Sequence, residues 1–230
     1  MSVIRWGMIG CGAVVEVKSG PGFYKSKNSA LLGVTSADMV MTQSFAQRHG
    51  VPNAYASTEA LLANPEIDAV YVATPPSSHK PLALQAARAG KHVYVEKPMA
   101  MRFGECREIV DICAQQGVRL FVAFYRRAMP RFLKVKAWVD SGAIGQPLCI
   151  RAVQHQKPAP EDLSRATLPW RLKPEIAGGG KFLDMGIHEL DIFDFLFGAI
   201  EEVHGIAGNH AGLYDVEDTV TPAGDRKSVV

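Results

Sequence analysis

Short apolar runs alternate with helix-compatible segments through the first half of the chain. The runs are Val3–Ile9, Ala30–Thr35, Ala69–Ala73, Val93–Val95 and Leu120–Ala123. Arg5 interrupts the first run, but short apolar runs of this kind are typical of parallel strands that are buried on both faces. The repeated strand–helix–strand pattern therefore predicts an α/β fold, with a doubly wound parallel sheet over residues 1–123.

The segments between these runs carry helix start and stop signals. They are Asp38–His49, which stops before Gly50, Thr58–Ala63, Pro81–Ala89, which stops before Gly90, and a stretch from Phe103 to Gly117. We expect Ser57 to cap the second of these helices, and Ser77 or Ser78 to cap the third.

The pattern changes after Phe124 and predicts a second domain over residues 124–230. Helices are predicted at Met129–Asp140 and Leu183–Phe197, and strands at Pro147–Gln156 and Glu201–Ala207. The proline-rich stretch 157–175 predicts a long loop. These elements indicate an α+β domain with an open sheet.

Composition and charge exclude several classes of function. Of the 230 residues 47% are hydrophobic and 21% charged, which is ordinary for a globular protein. The formal net charge of +2 is dispersed along the chain, so no nucleic-acid partner is expected. No apolar run approaches the roughly 20 residues that a membrane span needs. The four cysteines form no CxxC pair, and the N-terminus lacks a signal peptide, so we expect a cytoplasmic protein.

A glycine motif follows the first predicted strand. Gly10 and Gly12 allow a tight turn and close approach of a pyrophosphate, and Ala13 and Val14 begin the helix behind them. Val15 stands where a third glycine is usual. The motif predicts a dinucleotide site because it lies at strand one of a strand–helix–strand series.

The end of the second predicted strand leaves the choice of dinucleotide open. Ser36 stands where a ribose-binding Asp or Glu is usual, and no arginine beside it would hold a 2′-phosphate. Asp38 either serves the ribose of NAD or caps the following helix. The cofactor is therefore predicted as NAD or NADP.

Two further loops follow predicted strands and should line the same crevice, at the carboxyl edge of the sheet. In the loop after Ala69–Ala73, Thr74, Pro75 and His79 are candidates for cofactor contacts. After Val93–Val95 comes Glu96-Lys97-Pro98. A partly buried lysine at a strand end can serve as acid or base, and a proline can fix the turn through a cis peptide.

The second domain carries a glycine-rich segment followed by an acidic and histidine-containing helix. Asp184 and His188 are four residues apart, so an α-helix would place both on one face, which Asp191 continues. Gly178-Gly179-Gly180 would let the backbone approach a ligand closely. No metal site is predicted, because a fourth ligand is not evident.

Taken in order, these motifs resemble the Gfo/Idh/MocA family of oxidoreductases, over nearly the whole chain. The resemblance implies a Rossmann domain that binds NAD(P), and hydride exchange with a secondary alcohol or carbonyl of a sugar, polyol or related compound. It implies that Lys97 is the catalytic lysine, and that Asp184 and His188 take part in substrate binding and proton transfer. It assigns Glu96 and the Thr74–His79 loop to the cofactor.

Other residues and activities follow from the same resemblance. Arg126, Trp170 and Arg171 are candidate substrate-side residues, and Tyr125 stands where many relatives have asparagine. The alternatives within the family are a glycoside hydrolase that regenerates its NAD, and a non-catalytic NAD(P)-sensing regulator. The intact Lys97, Asp184 and His188 favour the enzyme.

The end of the chain departs from the family pattern. Few strands remain for the second sheet, and residues 224–230 have no likeness to the family. We therefore expect a C-terminally truncated chain with an artefactual tail at 224–230, inactive by itself. The full-length protein is expected to be a homo-oligomer.

Overall fold

The structure is a computed structural model that describes residues 2–225. The chain divides into two compact units, one ending at Ala123 and one beginning at Phe124. Of the tail expected at 224–230, residues 226–230 lie outside the described residues. Gly224 and Asp225 are the last residues of a strand.

The first unit is built on a parallel sheet. Its strands are β1 (Ile4–Ile9), β2 (Ser29–Thr35), β3 (Asn53–Ala54), β4 (Ala69–Val72), β5 (His92–Val95) and β6 (Leu120–Val122). The order β3-β2-β1-β4-β5-β6 reverses direction between β1 and β4. The predicted doubly wound α/β fold is thereby confirmed. The two-residue strand β3 was not predicted, because so short a strand leaves no apolar run.

The first helix of this unit begins behind the glycine motif as expected, the second was not predicted, and the other four agree with the predicted segments to within a few residues. The helices are α1 (Ala13–Val17), α2 (Gly20–Lys25), α3 (Met39–His49), α4 (Thr58–Leu62), α5 (His79–Arg88) and α6 (Phe103–Gln115). Ser57 caps α4, since its Oγ accepts the N–H of Ala60 at 3.2 Å. The cap expected from Ser77 or Ser78 is wrong. A 3-10 turn, Pro76–Ser78, runs directly into α5, and Ser78 has helical rather than extended backbone.

Both faces of the sheet are buried, as the strand pattern requires. Val70 and Val72 of β4 point into a core shared with Ile109 of α6. Tyr71, between them, points to the opposite core and stacks on Phe23 of α2. Burial on both sides holds the strands in register and so fixes where their carboxyl ends emerge.

The second unit contains α7 (Pro130–Asp140), α8 (Pro174–Ala177) and α9 (Ile187–Phe197). Its sheet, within residues 124–225, is an antiparallel pair of β7 (Glu202–Gly208) and β8 (Thr219–Asp225). A π-helical turn, Phe182–Gly186, leads into α9. The predicted loop at 157–175 also holds short helical turns at Pro160–Leu163 and Trp170–Leu172.

The predicted strand Pro147–Gln156 is not present. Residues 148–156 are exposed throughout, and no described strand runs beside them. An alternating pattern becomes a strand only where a neighbouring backbone supplies hydrogen-bond partners.

Candidate functional site

In the first unit, four loops at the carboxyl edge of the sheet carry the predicted cofactor residues. Gly10 follows β1 with φ +108°, a conformation that favours glycine. A Cβ there would lie 2.6 Å from the carbonyl oxygen of Ala73, at the end of β4. Gly10 is therefore required by the turn and by its close approach to β4.

Gly12 has a different reason to be glycine. Its backbone is ordinary extended chain, with φ −79° and ψ 179°, and a Cβ there would meet no atom within 4 Å. It lies before the first turn of α1, where the N–H groups of Ala13 and Val14 have no partner inside the helix. Open space beside such donors fits the pyrophosphate of a dinucleotide.

Val15, at the third position of the motif, is fully buried in the core beneath α1. The close helix contact occurs at Gly20 instead, where a Cβ would collide with the carbonyl oxygen of Val15. Gly20 was not singled out from the sequence, because it lies outside the motif spacing.

At the end of β2, Asp38 is the N-cap of α3. Its Oδ1 accepts the N–H groups of Val40 and Met41 at 2.8 and 3.2 Å. Ser36 Oγ lies 2.7 Å from Thr42 Oγ1 and donates to the Asp38 carbonyl at 2.9 Å. The helix-cap alternative for Asp38 is thus realised, and it leaves an exposed carboxylate at this strand end.

No cation stands beside Ser36 in the described ion pairs. Arg48 of α3 pairs with Glu16 of α1. Arg5 lies at the amino end of β1, away from this edge, and pairs with Asp68 at 2.7 Å. Both arginines therefore have carboxylate partners away from Ser36.

The loop after β4 contains an unsatisfied polar atom. Thr74 Oγ1 is buried and has no hydrogen-bond partner among residues 2–225. A buried hydroxyl without a partner is costly, and a bound ligand could supply the missing partner at this place. Pro75 begins the 3-10 turn of the same loop, with φ −63°.

His79 lies inside this loop rather than at its surface. The residue is 1% exposed, and its ring nitrogens face the carbonyl oxygens of Pro98 at 2.8 Å and Thr74 at 2.7 Å. The expected direct contact of this side chain with a cofactor does not fit such burial.

Hydrogen bonds to Glu96 and to the Pro98 carbonyl hold the loop after β5 on both sides of Lys97. Glu96 accepts a hydrogen bond from the Tyr71 hydroxyl through Oε1 and from the Lys97 N–H, at 3.1 Å, through Oε2. Burial and the Glu96 charge raise the pKa of Tyr71 far above its usual range, so the phenol remains a donor. The Lys97–Pro98 peptide is cis. Lys97 is partly buried.

In the second unit, Asp184 lies in the π-helical turn and His188 in the first turn of α9. The expected shared α-helical face is therefore not formed as predicted, because a π turn has i→i+5 spacing. The Asp184 side chain is 25% exposed, whereas His188 is only 4% exposed. The rings of Phe124 and Tyr125 pack edge-on against His188.

Arg171, a predicted substrate-side residue, lies beside Asp184 and stacks on another such residue, Trp170. Arg171 Nε is 3.7 Å from Asp184 Oδ2, and its guanidinium stacks over the Trp170 ring at 4.3 Å. Arg126 instead pairs with Glu189 of α9 at 2.7 Å. The structure thus brings Asp184, Trp170 and Arg171 together and holds Arg126 in a separate ion pair.

Asp191 was expected to continue the helix face of Asp184 and His188, but it forms an ion pair with Arg127 instead. Its Oδ1 is 2.7 Å from a guanidinium nitrogen of Arg127, which also pairs with Asp194 at 2.9 Å. These contacts hold the segment after Phe124 against α9.

The three glycines before the π turn serve packing within the chain. Gly178 ends α8 with φ +83°. The Gly180 N–H donates to both carboxylate oxygens of Glu217 at 2.8 Å, and a Cβ at Gly180 would collide with the Glu217 carbonyl oxygen. The expected approach to a ligand is thus replaced by approach to Glu217. Sequence reasoning missed Glu217 because its partner is 37 residues away.

No group of three or more His, Cys, Asp or Glu side chains within residues 2–225 is placed to hold a metal ion. No described helix has the length and apolar character to cross a membrane. A cavity of about 650 Å³ lies at the opposite, amino edge of the first unit's sheet.

Residues 4–124 match the oxidoreductase family with an NAD-binding Rossmann fold, and residues 132–222 match the GFO/IDH/MocA C-terminal domain. The first unit is thus an NAD-binding Rossmann domain, and its cofactor is NAD or NADP. The chain belongs to the GFO/IDH/MocA family of oxidoreductases.

Individual relatives agree with this family. An oxidoreductase of Formosa agariphila is 43% identical over 88% of this chain and 63% of its own length. The 1,5-anhydro-D-fructose reductase of Ensifer adhaerens is 31% identical over 94% of this chain and 64% of its own. The chain therefore spans less than two thirds of these relatives.

Among solved structures, levoglucosan dehydrogenase in complex with NADH and levoglucosan superposes with a TM-score of 0.79. It is 25% identical, and the match covers 97% of this chain and 64% of that one. The WlbA dehydrogenase of Bordetella pertussis, in complex with NADH and UDP-GlcNAcA, has a TM-score of 0.79 at 28% identity. That match covers 97% of this chain and 63% of the other.

The two glycines of the first motif should respond differently to substitution. Gly10→Ala is strained and clashes with the end of β4, so we expect a loss of about 1–3 kcal/mol in the free energy of unfolding. Gly12→Ala should change stability by less than about 0.5 kcal/mol. Its Cβ would occupy the open space, and dinucleotide affinity should fall by about tenfold or more.

Urea unfolding and calorimetric titration with NADH measure both effects. If Gly12→Ala binds NADH as tightly as the wild type, the pyrophosphate does not lie against this glycine.

Gly180→Ala should destabilise the second unit. The added Cβ forces the π turn away from Glu217, at a cost of about 1–3 kcal/mol. Gly104→Ala is the matched control, since a Cβ there meets no atom within 4 Å and lies in a helix. Alanine should be neutral or slightly stabilising at that site. Equal unfolding midpoints for the two variants would contradict the packing role of Gly180.

Proposed function

We propose that this protein is an NAD(P)-dependent oxidoreductase that moves a hydride between the nicotinamide and a CH–OH or carbonyl carbon of a sugar, polyol or related compound. The observation that carries the proposal is the set of groups at the carboxyl edge of the sheet. The open space at Gly12, the unpartnered Thr74 hydroxyl and Lys97 all follow adjacent strands of one domain.

The chain's own residues divide the work of binding and proton transfer. The first motif and Thr74 bind the dinucleotide, which supplies the hydride acceptor or donor when it is bound. Lys97 exchanges a proton with the substrate oxygen: it accepts the proton on oxidation and returns it on reduction. His188 is the second candidate for this proton.

The second unit supplies the substrate side in this proposal. Asp184 and Arg171 present a carboxylate and a guanidinium that can accept from and donate to hydroxyl groups. The resemblance to sugar and polyol enzymes, among them the myo-inositol 2-dehydrogenase of Thermotoga maritima at 29% identity, supports a hydroxyl-rich substrate.

We propose a reducing compartment, the cytoplasm, as the setting, since all four cysteines are free thiols. We also propose that the protein is a homo-oligomer. The β7–β8 pair leaves apolar side chains exposed on both faces, Val203 on one and Ile206 on the other, which supports this second proposal.

Lys97→Ala tests the proposed reaction. We expect turnover to fall by about 10²–10⁴-fold, the usual contribution of a positioned acid or base, while NADH affinity changes much less. Reduced-nicotinamide absorbance is followed across a panel of polyols and keto-sugars. Assays use the 230-residue chain and a version extended with a relative's C-terminal segment, and variants are made in the form that turns over.

Lys80→Ala is the control, because Lys80 lies on α5 in an ion pair with Glu108. Near-normal turnover of Lys97→Ala would refute its assignment. Turnover without net change in the reduced cofactor would indicate the hydrolase that regenerates its NAD.

Cofactor choice should depend on the charge of Asp38. Ser36 offers neither a cation for a 2′-phosphate nor a carboxylate for the ribose, and the nearby Asp38 carboxylate repels a phosphate. NAD should therefore bind more tightly than NADP, by no more than about tenfold. Asp38→Asn keeps a capping side chain but removes the negative charge. It should strengthen NADP binding and leave NAD binding nearly unchanged, as measured by tryptophan fluorescence titration. A wild-type preference for NADP above about tenfold would contradict this account.

A further inference from the structure

The imidazole of His79 joins the ends of two neighbouring strands. His79 is the first residue of α5, and its ring lies between the carbonyl oxygen of Thr74, after β4, and that of Pro98, after β5. β4 and β5 are paired in parallel register, with Val72 opposite Val95. A single buried side chain therefore spans the two loops at the carboxyl edge.

With the contact to Pro98, the backbone is held on both sides of Lys97. Before the lysine, the Glu96 N–H donates to the Val72 carbonyl at 2.9 Å, and the Glu96 carboxylate accepts from Tyr71. After it, His79 Nδ1 lies 2.8 Å from the Pro98 carbonyl oxygen. The backbone on both sides of Lys97 is thus held by buried groups of the sheet and of α5.

We propose that His79 is a positioning residue for Lys97, acting through its hydrogen bond to the Pro98 carbonyl. The inference rests on the proposed role of Lys97. A proton-transfer group must be held to about 0.5 Å, and a misplacement of about 1 Å can reduce turnover by about 10²-fold.

The two ring contacts cannot be equivalent in a neutral imidazole. Both partners are carbonyl oxygens, which only accept, whereas a neutral ring has one N–H. Burial lowers the pKa of His79, although the two carbonyls and the Glu96 charge oppose this shift. The proposal assigns the proton to Nδ1, which faces Pro98.

Two conservative substitutions separate the two contacts. The amide nitrogen of His79→Asn can take the place of Nδ1 and donate to Pro98. The longer His79→Gln places its amide nitrogen near Nε2 and donates to Thr74. His79→Leu fills the space and donates to neither carbonyl.

The first readout does not depend on turnover. The unliganded variants are labelled with a trace amount of an amine-reactive reagent, and modification of Lys97 is measured by peptide mass spectrometry relative to Lys80. In His79→Gln and His79→Leu the Lys97 side chain should be displaced, so the ratio of Lys97 to Lys80 modification should change by about tenfold. His79→Asn should keep this ratio near the wild-type value.

The second readout is steady-state kinetics beside urea unfolding. His79→Gln and His79→Leu should lower kcat by about 10–100-fold, with KM and NADH affinity changed much less, while His79→Asn restores most of kcat. Unfolding midpoints identify losses of kcat that come only from a less stable folded state.

Three outcomes would overturn the proposal. The first is an unchanged labelling ratio in all variants. The second is that His79→Asn and His79→Gln lose kcat equally and in proportion to their loss of stability. The third is that His79→Gln, and not His79→Asn, restores kcat. Failure of the proposed function is a separate result: Lys97→Ala would then retain turnover, while the labelling ratio would still depend on His79.

Discussion

The parallel pairing of β1, β4 and β5 is the constraint on which the candidate site depends. Ile9 is paired with Val72, and Val72 with Val95, so the three strands end at the same level. The residues that follow are Gly10, Ala73 and Glu96, which must therefore emerge side by side. No long-range contact between the loops is needed to assemble them, because the sheet register does so.

Buried polar groups then refine what the register brings together. Tyr71 extends from the sheet to hold Glu96, and His79 reaches from α5 to the loops after β4 and β5. Both side chains are buried, Tyr71 at 0% and His79 at 1% exposure, and a lost partner costs more there than at the surface. The one exception at this edge is the buried Thr74 hydroxyl, which has no partner within residues 2–225. It lies where the proposal places the dinucleotide.

The sequence predicted those features that arise from local pattern. Apolar runs located β1, β2, β4, β5 and β6, and the Ser57 cap followed from its position before a helix. Features set by distant partners were missed or mispredicted. Glu217 meets Gly180 across 37 residues, and the strand predicted at Pro147–Gln156 lacks a neighbouring strand. The π turn at Phe182–Gly186 has no signal in helical periodicity, so the face shared by Asp184 and His188 was predicted with the wrong spacing.

Hydrogen exchange with and without NADH tests most directly whether the carboxyl edge is the dinucleotide site. The rival location is the cavity at the amino edge, lined by Arg5, Trp6, His92, Tyr94 and Arg119 among others. We expect NADH to slow amide exchange in residues 10–14, 74–79 and 96–99 and to leave residues 4–6 and 91–93 unchanged. Protection confined to the amino-edge residues, or none at the three carboxyl-edge loops, would contradict the carboxyl-edge site.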